Sequence, residues 1–103
     1  MVEIIWADST VNALDEIAEY IALDNISAAC KLVTKIINTV DRLHDFPESG
    51  GLVPEIPDLS YREIIVNPCR VIYRFDKKIS TINIIAVIRQ EMDLLRYINH
   101  RDN

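Results

Sequence analysis

The sequence predicts an α+β domain in the order β-α-α-β-β-β, a helical hairpin packed on a mainly antiparallel four-stranded sheet. Three observations carry this expectation. Two apolar series with helical spacing occupy residues 11–21 and 29–43. Three segments rich in Ile, Val, Tyr and Thr follow across residues 61–89. Between them, Pro47 to Ser60 holds three prolines and both glycines of the chain. The 103 residues match one domain in length, so a single unit over residues 1–103 is expected.

Val2-Glu3-Ile4-Ile5-Trp6 is β-rich and reads as a first strand with Val2, Ile4 and Trp6 on one face, Trp6 in the core under the hairpin. Asp8 or Ser9 is expected to cap the next element, because a short side-chain oxygen accepts from the free N–H groups of a first turn. Val11, Leu14, Ile17, Ala18 and Ile21 then recur as one stripe of an amphipathic helix. Leu23-Asp24-Asn25-Ile26-Ser27 breaks the pattern. Ala29, Leu32, Val33, Ile36, Ile37, Val40 and Leu43 form a second, longer stripe, which ends before Phe46-Pro47. Helices joined by so short a linker pack antiparallel.

Pro47 to Ser60 reads as a loop, and the period then changes to that of strands. Tyr61–Val66, Cys69–Phe75 and Ser80–Arg89 are separated by the turn-like Asn67-Pro68 and Asp76-Lys77-Lys78, which predicts a three-stranded meander. In the last strand Ile82, Ile84, Ala86 and Ile88 are expected on one face, with Asn83, Ile85, Val87 and Arg89 on the other. Apolar residues on both faces mark this strand as central. Glu91 to Asn103 is a polar tail with a helical turn expected at Met92–Tyr97.

Composition narrows the function classes. Hydrophobic residues at 50% and charged residues at 26% exclude a disordered linker. No apolar run is long enough to span a membrane, and the N-terminus lacks the basic region of a signal peptide. Cys30 and Cys69 form no CxxC, so neither a disulfide framework nor a zinc site is expected, and a reducing cytoplasm is the plain location. No cofactor motif occurs. Net charge is −5, unevenly placed: residues 1–59 carry 3 basic and 11 acidic side chains, residues 60–103 carry 8 and 5. Global acidity argues against non-specific nucleic-acid binding but leaves room for a local basic face.

The element order and several local strings resemble the RelE/ParE superfamily of bacterial type II toxin–antitoxin toxins. The strings are Trp6-Ala7-Asp8, Ile17-Ala18-Glu19-Tyr20-Ile21, and Leu43 to Phe46-Pro47-Glu48-Ser49-Gly50. The most specific are Tyr61-Arg62-Glu63-Ile64-Ile65-Val66 and Arg70-Val71-Ile72-Tyr73-Arg74. The resemblance implies a small cytoplasmic toxin of a plasmid-stabilisation type, blocked by a cognate antitoxin. RelE-like members cleave mRNA in the ribosome. ParE-like members inhibit DNA gyrase by binding and are not enzymes.

The ribonuclease reading would rest on Arg62, Arg70, Arg89 and Tyr97. Its basic cluster is incomplete: Ile64 stands at a position often lysine, and Arg89-Gln90-Glu91-Met92 holds one arginine and an acid. The ParE-like reading fits better, with Arg62, Arg70, Arg89 and Asp93 as expected target-binding residues and no cofactor or metal. It too shows departures, with Cys69 where an aromatic usually precedes the arginine and Glu91-Met92 where a basic pair is common. A third reading is a degenerate toxin that keeps antitoxin binding alone. Against these stand blander roles. Arg70 can form an exposed cross-strand pair with Glu63, Tyr61 and Tyr73 can pack with wet hydroxyls, and Asp93 can cap the terminal turn. Cys30 reads as a small buried hydrophobe and His44 as a partner of the helix dipole. The acidic hairpin would suit a basic antitoxin segment, with an antitoxin helix in the groove and a strand at the sheet edge.

Overall fold

The computed structural model describes residues 2–96. Strand β1 (Glu3–Trp6) leads into helix α1 (Asp8–Ala22) and helix α2 (Ile26–Asp41). The cap of α1 differs from expectation. Asp8 and Ser9 lie inside the helix and Ala7 is the N-cap, with no side-chain acceptor. Thr10 instead turns its hydroxyl back to donate to the Ala7 carbonyl at 2.6 Å. Asp8 still lies in the first turn, where its charge complements the free N–H groups. The second helix starts as the capping residues indicate. Asn25 is extended, and its side chain accepts from the Ala28 N–H at 3.0 Å.

A 3-10 turn at Arg42–His44 continues α2. The His44 ring does more than face a helix end: its Nδ1–H donates to the Val2 carbonyl and ties this turn to the first strand. Within the two stripes, Leu14, Leu32, Ile36, Val40 and Leu43 are buried. Val11 and Ile37 lie at the stripe margins and are exposed. Cys30 is exposed, against expectation, because it follows the buried Ala29 and turns away from the sheet.

Four further strands complete the sheet: β2 (Gly51–Leu52), β3 (Tyr61–Val66), β4 (Cys69–Asp76) and β5 (Thr81–Arg89). Their order is β1-β5-β4-β3-β2, so the described residues form a sheet of five strands rather than the four expected. The additional strand pairs Gly51 with Glu63 and Leu52 with Arg62 inside the segment read as loop. Two residues are too few to show an alternation, and Pro54 prevents a longer strand. β1 runs parallel to β5, and β5 lies between β1 and β4, as its two apolar faces indicate.

The expected faces of β5 are corrected by a bulge. Ile72 pairs with Ala86 while Tyr73 pairs with Ile84, which leaves Ile85 without a partner in β4. One extra residue reverses the side-chain parity beyond it. Val87 therefore joins Ile82 and Ile84 on the helix side, while Ala86 and Ile88 face away. Trp6, Ile17, Ile21 and Val33 are partly buried against the helix-side core, with α1 over β5 and α2 over β3. The opposite sheet face is not open. Val53 and Leu94 cover Ile72, Ala86 and Ile88 there, with Ile56 and Tyr61 packed at the margin.

Tyr73 is fully buried, so its hydroxyl is not wet. The hydroxyl accepts from the Gly50 N–H at 3.0 Å and donates to the Pro47 carbonyl at 2.9 Å. Burial pushes its pKa up. Gly50 permits this approach, because an added Cβ would lie 2.6 Å from the Tyr73 hydroxyl and 2.8 Å from the Glu63 carbonyl oxygen. Tyr73→Phe strands one buried donor and one buried acceptor. It is expected to lower stability by about 1–3 kcal/mol in urea denaturation. A loss near zero would mean that water replaces both bonds.

Candidate functional site

Three arginines carry the expected chemistry, and the strands place them apart. Arg70 shares the parity of Ile72 in β4 and points to the sheet face away from the helices. Arg62 shares the parity of Ile64 and Val66 in β3 and lies on the helix side. Arg89 pairs with Cys69 at the far end of β5. Arg62 stands opposite Tyr73, four residues further along β4, or about 13 Å by strand rise. The three guanidinium groups do not converge on one point.

Arg70 is buried rather than part of an exposed pair. Its side chain is 8% exposed, and those of its partners Glu55 and Glu63 are 18% and 14% exposed. Nε and Nη2 donate to Glu63 Oε1 at 3.2 and 2.6 Å. Nη1 donates to Glu55 Oε2 at 2.9 Å, and Nη2 to Glu55 Oε1 at 2.8 Å. The second Nη1 hydrogen reaches the Met92 carbonyl at 3.3 Å. An arginine has five N–H groups, and these five bonds engage all of them. Arg70 therefore has no donor left for a target or a phosphate.

The carboxylates respond to this geometry. The Arg70 hydrogen bonds pull the Glu55 pKa from 4.5 down to about 2, against the opposing effect of burial. The Leu94 N–H, which donates to Glu55 Oε2 at 3.0 Å, works in the same direction. Arg70 is held more firmly protonated, chiefly by Glu55. Glu55 escaped the sequence reading, since an acid in a Pro-rich loop has no periodicity to place it. The hydrophobes Val53 and Ile56 around it were the available signal.

The other candidates are more accessible. Arg62 Nη1 donates to the Gly50 carbonyl at 2.9 Å, and its Nη2 lies 3.7 Å from Glu48. Arg89 is exposed and pairs with Glu91 at 2.8 Å. It lies beside the α1–α2 turn, bordering an open cleft of ≈ 660 Å³ with Tyr20, Leu23, Asp24 and Pro68. Asp93 accepts from the Leu95 N–H at 2.9 Å and so caps the terminal turn. Tyr97 lies outside the described residues. Cys69 is fully buried, and burial pushes its thiol pKa up.

A second cleft of ≈ 460 Å³ brings Arg74, Lys77 and Lys78 beside Arg62, a basic grouping that the sequence reading passed over. Glu48 lies 3.2 Å from Lys77, and Asp76 lies 3.8 Å from Arg74, so acids offset part of its charge. Among the described residues no group of three or more His, Cys, Asp or Glu side chains could hold a metal ion. No helix there is long and apolar enough to cross a membrane.

Comparison with known proteins supports the fold and places the chain. A structure described as a chromosomal ParDE toxin–antitoxin system from P. aeruginosa superposes with a TM-score of 0.71 at 24% identity, covering 88% of this chain and 98% of that one. The isolated E. coli RelE toxin gives a TM-score of 0.56 at 11% identity, covering 99% and 98%. At these identities the two share the fold. A protein of Sinorhizobium fredii, provisionally named toxin Y4kP, is 29% identical over 87 residues, or 82% of this chain and 88% of its own. The family model for the ParE toxin of the type II toxin–antitoxin system parDE matches residues 4–94. The chain belongs to the ParE toxin family of type II toxin–antitoxin systems.

Proposed function

We propose that this ParE-type toxin inhibits DNA gyrase by binding it and is neutralised by a cognate antitoxin. The observation that carries the reading is the saturation of Arg70. A ribosome-dependent nuclease needs cationic donors gathered around the scissile phosphate. Here the most central arginine spends all five N–H groups inside the protein. Arg62 and Arg89 lie at separate places on the sheet, and the acids Glu48 and Asp76 offset part of the charge gathered beside Arg62. A binding inhibitor requires no such convergence. Arg62, Arg89 and Asp93 remain the proposed target contacts, and Arg70 supports the fold beneath them.

The antitoxin is expected to lie along the hairpin, where Glu16, Glu19 and Asp24 are exposed beside the apolar Tyr20 and Leu23. A basic amphipathic segment complements that surface. The test is gyrase supercoiling with purified toxin, with and without the co-encoded antitoxin. Inhibition with trapped cleaved DNA, relieved by the antitoxin, is the expected result. Full supercoiling at micromolar folded toxin would overturn the gyrase assignment.

A further inference from the structure

The acidic part of the chain, residues 1–59, has three basic side chains, Lys31, Lys35 and Arg42. All three are exposed, and helix α2 with its 3-10 extension puts them on one side. At 3.6 residues per turn they fall within about 40° of one another around the axis and span about 16 Å along it. With Thr34 and Asn38 they line an open groove of ≈ 490 Å³.

Ordinary roles do not account for this ridge. A solvated helix face interleaves cations with acids three or four residues apart. Here Asp41 is the one acid of α2, and Asp45 follows its extension. The ion pairs formed among the described residues engage Arg62, Arg70, Arg74, Lys77 and Arg89, and none of these three. Arg42 complements the C-terminal end of the helix, but Lys31 lies in the second turn, where a cation gains nothing from the dipole.

The neighbours of the three cations indicate the partner. A protein interface is anchored by buried aromatic or aliphatic side chains. Among the described residues no large apolar side chain lines the groove. Phosphate oxygens are held by Lys and Arg together with Ser, Thr and Asn side chains, which is the set present. One strand of duplex DNA passes about five phosphates in 16 Å, so each cation can meet its own. The net charge of −5 does not forbid this. The molecule measures 43 × 32 × 22 Å, whereas charges are screened over about 10 Å at 0.1 M salt.

We propose that Lys31, Lys35 and Arg42 form a contact surface for the phosphate backbone of duplex DNA, without sequence preference. The choice of duplex DNA rests in part on the gyrase reading above, in which the toxin works on an enzyme that holds DNA. The contact itself is measurable without gyrase.

The test is titration of a labelled duplex of about 20 base pairs with the purified full chain, at salt from about 50 to 200 mM. Three phosphate contacts predict a slope of log affinity against log salt of about −2.7, or a loss of about fortyfold over this range. Lys35→Gln should reduce that slope by about one. The triple variant Lys31→Gln, Lys35→Gln, Arg42→Gln should bind at least about tenfold more weakly at 50 mM salt, with an unchanged urea midpoint. Lys77→Gln, Lys78→Gln should bind as wild type. Cys30 is exposed beside Lys31 and Cys69 is buried, so duplex should slow thiol alkylation at Cys30.

No binding at about 100 μM protein and 50 mM salt would overturn the proposal. Full binding by the triple variant, or its loss in Lys77→Gln, Lys78→Gln, would overturn the ridge as the site. Tighter binding of single-stranded RNA of equal length, or of a polyglutamate peptide, would overturn duplex DNA as the partner. Full supercoiling by gyrase in the presence of a toxin that does bind duplex would overturn the gyrase reading and leave the ridge standing.

Discussion

Arg70→Met lowers the stability of the folded protein by about 3–5 kcal/mol at pH 7, the cost of removing one member of a buried ion network. Glu55 and Glu63 are then left facing each other with no cation between them. The pH dependence identifies the cause. In the wild type the folded Glu55 pKa is about 2, below its ordinary 4.5. The unfolded chain takes up the proton first, so this contribution to stability is fully present above about pH 4.5 and is lost as pH falls through about 2. In the variant Glu55 loses the arginine hydrogen bonds that hold its pKa down, and burial, which opposes them, favours its protonated form. The gap between wild type and variant therefore narrows from pH 7 to pH 4 in urea titrations. A loss under about 1 kcal/mol, constant with pH, would mean that the network behaves as an exposed pair.

Leu94→Ala has the second largest effect, but a different reach. The side chain is fully buried against Val53, Ile72, Ala86 and Ile88. Deleting a buried leucine typically costs about 2–5 kcal/mol. The segment can detach without unfolding β3 to β5, so the loss appears first as local opening. Exchange at the Leu94 and Leu95 amides should rise sharply, with the global urea midpoint falling by an equivalent of about 2 kcal/mol. Unchanged exchange at these amides would show that the ion network holds the segment without the leucine.

These two residues also show where the sequence was legible and where it was not. Strand β3 was legible to the residue, because Tyr61 and the β-branched run Ile64-Ile65-Val66 mark it and Asn67-Pro68 closes it. Both helices were legible from their stripes and from Asn25, whose cap is a local interaction. The bulge at Ile85 was hidden, since both parities of β5 carry apolar residues and neither register looks worse in sequence. The role of Arg70 was half legible. Its cross-strand partner Glu63 follows from strand pairing, whereas Glu55 and the backbone of Met92 reach it only through the tertiary fold. The arginines cluster in sequence, which leaves room for a local basic face. Strand parity and the length of the sheet separate them.

The covered second face of the sheet follows from the same tertiary pairing. Val53 and Leu94 lie 41 positions apart in the chain yet share one cluster. Each belongs to a short apolar doublet, Leu52-Val53 and Leu94-Leu95, in a polar, Pro-rich or charged context, the kind of signal that periodicity does not register. Together they turn the loop after β2 and the segment after β5 into one layer over the sheet.

The most direct test of the account is sedimentation of the purified toxin with DNA gyrase, run beside a ribosome-bound mRNA cleavage assay on the same preparation. A toxin–gyrase complex that the antitoxin dissolves is expected, with the mRNA intact. No complex with gyrase, together with cut mRNA at the ribosome, would contradict it.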